Sequence, residues 1–82
     1  MGYMQGVTKE VAAHTLYHFR GEGYPPGSFT EALLLAFARA DSRNFMKLDM
    51  AFPDYGGAMR LAKEELDGID KLRAIFKGEH DG

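Results

Sequence analysis

Apolar positions recur with helical spacing in four stretches of the chain, separated by breaks rich in glycine, proline or aspartate. In the first stretch Ala12, Leu16 and Phe19 fall at i, i+4 and i+7 on one face. Thr8 is a suitable N-cap, and Gly21 is placed to close the helix in a left-handed conformation. Residues 21–27, Gly-Glu-Gly-Tyr-Pro-Pro-Gly, exclude regular structure, and the proline after Tyr24 favours an extended backbone that projects its ring onto the core or towards a partner. Ser28 followed three residues later by Glu31 reads as a capping box, predicting a second helix from Phe29 with Leu33, Leu34 and Phe37 inward. The run from Ala32 to Phe37 leaves almost no polar face, as expected of a central helix contacted on several sides.

Asp41 and Ser42 are placed to cap a third helix from about Arg43 to Ala51, with Phe45, Leu48 and Phe52 on one side and Pro53 as its stop. The pattern from Tyr55 to Phe76 predicts one further helix with a weak point at Gly68. Met59, Ala62, Leu66, Ile69, Leu72 and Phe76 turn inward, and Lys63, Glu64, Asp67, Asp70, Lys71 and Arg73 outward. Spacing of i, i+4 pairs Asp67 with Lys71. The ends, 1–6 and 77–82, lack periodicity and are expected to be mobile. The expected fold is all-α: one compact three- to four-helix domain over 1–82, the second helix central, the Pro25-Pro26 loop packed over it, and the last helix supplying the longest amphipathic face.

Composition narrows the setting. A chain of 82 residues with 45% hydrophobic content has too much apolar character for disorder and too little length for two cores. With no cysteine it forms neither disulfides nor thiolate metal sites, which suits a reducing compartment. The longest purely apolar run, Ala32 to Ala38, is far short of a bilayer span, and the N-terminus lacks the order of a signal peptide, so neither export nor membrane insertion is expected. Ten basic against twelve acidic side chains, spread along the chain, argue against nucleic acid as the main partner, because phosphate binding rests on clustered cations.

Candidate chemistry is sparse. Glu10, His14 and His18 stand at i, i+4 and i+8, one stripe within reach of a shared cation, but the segment lacks the glutamate of a His-Glu-x-x-His zinc helix. A stripe of partly exposed histidines is the plainer reading. No Gly-x-Ser-x-Gly elbow is present, Ser28 is already explained as a cap, and the glycines of 21–27 lack the strand and the lysine of a phosphate loop; no catalysis and no cofactor are expected. The Ala40-Asp41-Ser42-Arg43 turn between two helices allows a helix-turn-helix reading, with Arg43, Asn44 and Lys47 offered to DNA, against which stand Asp41, Asp49 and Asp54 flanking the same element. Tyr17, Tyr24, Phe29, Phe52 and Tyr55 are more aromatic groups than one small core hides. They serve either an interface or the closure of the core around the loop.

The block Tyr24 through Tyr55, with Pro25-Pro26-Gly27-Ser28-Phe29-Thr30, Ala32-Leu33-Leu34, Ala40-Asp41, Asn44 and Ala51-Phe52-Pro53, resembles a group of small uncharacterised actinobacteriophage proteins of mycobacteriophage type. The resemblance implies a phage product made in the cytoplasm of an infected bacterium, and it carries no catalytic residues to transfer. Together the residues and the resemblance give the expectation of a small interaction protein that binds a host bacterial protein or forms a homo-oligomer. Tyr24, Pro25, Pro26, Phe29, Phe52 and Tyr55 are its candidate contacts. Alternatives are a nucleic-acid-binding regulator acting through Arg43, Asn44 and Lys47, and a metal-binding helical protein using Glu10, His14 and His18.

Overall fold

In the computed structural model, which describes residues 6–78, five helices follow one another: α1 (Lys9–Arg20), α2 (Ser28–Arg39), α3 (Ser42–Ala51), α4 (Pro53–Glu64) and α5 (Gly68–Lys77). Among the described residues there is no strand. Of the ends expected to be mobile, 1–6 and 77–82, residues 1–5 and 79–82 lie outside the described residues, whereas Lys77 is the last residue of α5.

The boundaries of α1 follow the expected chemistry. Thr8 Oγ1 accepts a hydrogen bond from the Val11 amide at 3.2 Å, and Gly21 adopts φ 71° to close the last turn. Asp41 caps α3 by accepting from the Asn44 amide at 2.8 Å. The capping box at Ser28 is not formed. The chain enters α2 one residue earlier, so Gly27 is the N-cap, its carbonyl accepts from the Glu31 amide at 2.9 Å, and Ser28 becomes the first helical residue without a side-chain cap bond.

Pro53 does stop α3, yet it also begins α4, where a missing amide hydrogen costs nothing. The expected continuous helix from Tyr55 to Phe76 is therefore two helices joined by a tight corner. Glu65 is extended, with φ −98° and ψ 137°, and the Gly68 amide donates to the Glu65 carbonyl at 3.2 Å. Gly68 lies so close to the Leu61 carbonyl that a β-carbon there would overlap it. A straight helix over the roughly 22 residues from Tyr55 to Phe76 would extend about 33 Å, nearly the whole 34 Å long axis of the domain. Folding back instead seats Leu72 and Ile75 in the core.

Two apolar clusters meet on α4. Val7, Val11, Ala12 and Leu16 pack with Ala58, Leu61, Leu72 and Ile75, joining α1, α4 and α5. Leu33, Leu34 and Phe37 pack with Phe45 and Met59, joining α2, α3 and α4. Tyr55 touches both clusters. The central helix is thus α4, which contacts all four others, and not α2. Buried Gly56, Gly57 and Ala58 let its neighbours approach closely, a role that an apolarity pattern does not register.

Helix α2 buries one face only. Its other apolar residues, Ala32, Leu35, Ala36 and Ala38, are exposed. Leu66, expected inward, is fully exposed at the α4–α5 corner, while Leu61 and Ile75 take the buried positions that a single continuous register would not assign to them. The Pro25-Pro26 loop bridges α1, α5 and α2: Gly23 packs on the Ala13 backbone, Glu22 pairs with Arg73 through two bonds of 2.9 and 2.8 Å, and Pro26 lines a crevice with Glu31 and Leu34 of α2.

Candidate partner-binding surface

The stripe Glu10, His14, His18 is split by burial. Glu10 is exposed and His18 half-buried, whereas His14 is buried between the α1–α4 seam and the loop. Its Nδ1 shares a 2.8 Å hydrogen bond with the Tyr55 hydroxyl, and the Tyr24 ring meets the imidazole edge-on at 5.5 Å between centroids. Among the described residues no group of three or more His, Asp or Glu side chains is placed to hold a metal ion. Burial raises the Tyr55 phenol above its usual range, with the nearby Thr30 hydroxyl working the other way and the charges of Glu10 and Asp54 adding to the rise.

The six aromatic and proline candidates divide between two places. Tyr24 and Tyr55 enclose His14, and Tyr24 also rests on Phe76 at 6.1 Å, so these two rings close the core beneath the loop, although Tyr24 keeps 43% of its surface in solvent. Pro25 is exposed, and Pro26 lines a small crevice of about 150 Å³ with Tyr17, His18, Glu31 and Leu34. Phe29 and Phe52 meet elsewhere, with ring centroids 6.0 Å apart at the N-terminal end of α2 and the C-terminal end of α3. Phe52 is half-buried against the second cluster, but Phe29 remains 66% exposed.

Phe29, Ala32 and Ala36 share one edge of α2, by the i, i+3, i+7 rule, and Ala36 faces α3 across an open groove. The groove holds about 450 Å³ and is lined by Ala36, Arg39, Ala40, Asn44, Lys47 and Leu48. Its floor is apolar and its rim is basic. Arg43 stands one residue outside this lining on the exposed side of α3. Arg39, Arg43 and Lys47 make no ion pair among the described residues. The residues read separately as aromatic contacts, Phe29 and Phe52, and as nucleic-acid contacts, Arg43, Asn44 and Lys47, thus occupy the two ends of one α2–α3 face.

The opposite flank of α3 is tied to α4. Arg60 bonds Asp49 at 2.9 Å, and the cations of Arg60 and Lys63 sit 5.1 and 5.5 Å from the centre of the Phe45 ring. Gly56 leaves the room that Asp49 occupies. Met46 lines a crevice on this flank with Arg60 and Lys63, and Met50 projects from α3 with 81% of its surface exposed. Sequence reasoning missed Arg39, Leu35, Met46 and Met50. A readable signal existed for the methionines, whose i, i+4 spacing lies off the Phe45–Leu48–Phe52 stripe and so marks a second apolar line on the same helix. Arg39 was hidden because the groove it lines exists only once α2 and α3 pack side by side. No protein-family model, curated protein or solved structure matches the chain.

Proposed function

We propose that this chain is a non-catalytic interaction protein that binds a second protein through its α2–α3 face. The observation that carries the reading is the set of exposed apolar groups on these two helices: Phe29 on the groove edge of α2, and Leu35, Met46 and Met50 elsewhere on α2 and α3, beside a groove with an apolar floor and Arg39 and Lys47 on its rim. Soluble surfaces ordinarily expose such groups singly, and several on two neighbouring helices suit a binding face. Methionine suits the task because its flexible thioether adapts to varied partners. The resemblance to actinobacteriophage proteins adds a setting, the cytoplasm of an infected bacterium, and makes a host protein or a second copy the partner. No helix among the described residues is long and apolar enough to cross a membrane.

Affinity purification from an actinobacterial host, at low and high salt and with nuclease, tests the reading. One host protein retained through high salt and nuclease by the native chain, and lost with Phe29→Ala, supports it. Retention unchanged by Phe29→Ala and by Lys47→Glu removes the α2–α3 face from consideration. A second reading, a nucleic-acid-binding regulator, is favoured by the unpaired Arg39, Arg43 and Lys47 flanking the turn between α2 and α3. Its mark is affinity that falls steeply with salt, with a smaller slope after loss of each contacting cation.

A further inference from the structure

Leu66 has the most exposed of the large apolar side chains in 6–78, and it tops a corner that is acidic and stiff. Glu64 and Asp67 stand exposed on either side of it. Lys71 braces the turn by bonding Glu65 at 3.3 Å and lying 3.6 Å from Asp67, and Gly68 is pressed on the Leu61 carbonyl. An apolar tip held this way loses little conformational freedom on binding. The α2–α3 groove has the complementary character: an apolar floor of Ala36, Ala40 and Leu48, space for an aliphatic side chain, and a basic rim of Arg39 and Lys47 that makes no ion pair among the described residues, with Arg43 just outside it. Leu66 is fully exposed, so it does not fill its own chain's groove, and α5 touches neither α2 nor α3.

We infer that the occupant of the groove is a second copy of this chain, which inserts Leu66 between α2 and α3 and sets its acidic corner against Arg39, Arg43 and Lys47. This rests on the α2–α3 face being the binding surface. Groove and corner are different surfaces, so the contact is heterologous and each molecule keeps one groove or one corner for a further copy unless the arrangement closes. A single anchored corner covers less than the roughly 1,000 Å² of a stable interface. The association is therefore weak and concentration-dependent.

Sedimentation velocity of the full chain over a concentration series, in about 0.1 M salt where the Debye length is ~10 Å, tests the inference. The native chain is expected to self-associate, and less so in about 1 M salt, where the Debye length falls to ~3 Å. Leu66→Ser, and separately the pair Arg39→Glu with Lys47→Glu, should each weaken association by about tenfold or more, the effect of losing one anchoring contact. All three sites are exposed, and circular dichroism of each variant verifies that it is folded. An equimolar mixture of the two variants should recover a dimer, because one supplies an intact groove and the other an intact corner. The inference fails if the native chain stays monomeric to about 1 mM, if either variant associates like the native chain, or if the mixture does not recover. A monomeric native chain whose host partner is nevertheless lost with Arg39→Glu and Lys47→Glu leaves the binding face standing and removes only the second copy as occupant.

Discussion

At the scale of single residues, position 68 shows how one backbone approach shapes the chain. Gly68→Ala places a methyl group against the Leu61 carbonyl, where neither backbone can yield freely. The expected loss is about 1–3 kcal/mol, the range for overpacking a tight site, read from the midpoint of urea denaturation with an unchanged slope. Glu22 is a different case. The hydrogen bonds from Arg73, aided by its charge, hold the Glu22 carboxyl below its usual value of 4.5. A carboxyl depressed in the folded state contributes stability above its unfolded value and loses it as pH falls through the folded one. The melting temperature should therefore decline below about pH 4.5, and Glu22→Gln should flatten that part of the profile. The effect is small, since the pair is exposed to solvent. Tyr55 acts at the other end of the scale. Its raised phenol contributes stability below pH 10 and loses it as pH rises through the folded value, so ultraviolet titration should show a step above pH 10 that Tyr55→Phe removes.

At the scale of the element, α2 tests whether an apolar helix is a buried one. Phe37 and Leu35 are two turn positions of the same helix, the first with no solvent exposure and the second 43% exposed. Phe37→Ala should cost about 3–5 kcal/mol, and Leu35→Ala a few tenths, within the roughly ±0.5 kcal/mol of ordinary surface changes. Equal losses in chemical denaturation would mean that α2 is buried on both sides. The start of the same helix offers a gain. Gly27 is an N-cap with φ −71°, open space around it and no side-chain bond to the first turn. Gly27→Asp should stabilise by a few tenths of a kcal/mol, the usual margin of a side-chain cap over glycine. The element also shows why the capping box was misplaced: Ser28 and Glu31 have the right spacing, but Gly27 already supplies the extended entry and the carbonyl for the first turn.

At the scale of the whole molecule, the arrangement is two small cores on one shared helix. A chain this short has a net margin of about 3–5 kcal/mol, so Phe37→Ala alone should leave a large unfolded fraction at room temperature, visible as a loss of helical circular dichroism. The α1–α4–α5 side is secured by its own cluster and by the Glu22–Arg73 pair between loop and α5. The α2–α3 side carries the exposed apolar groups and the groove. The side chains proposed to bind are exposed ones outside both clusters, which lets substitutions at Phe29, Lys47 or Leu66 alter association while the fold persists.

The local chemistry of the sequence determined much of this protein: the helical class, the cap at Thr8, the stop at Gly21, the cap at Asp41, and the inward face Leu33–Leu34–Phe37 all follow from residues within a turn or two of one another. Tertiary structure decided what depends on distant chain. It made α4 central because Gly56, Gly57 and Ala58 are small where helices cross, a property that hydropathy does not weigh. It broke the last helix at Glu65 because turning back buries Leu72 and Ile75, whereas continuing would leave them without a partner. That break put Leu66 in solvent, and the side-by-side packing of α2 and α3 brought Arg39 to Asn44 and Lys47. Periodicity reports which side of a helix is apolar; only the packed neighbours decide which apolar side is covered.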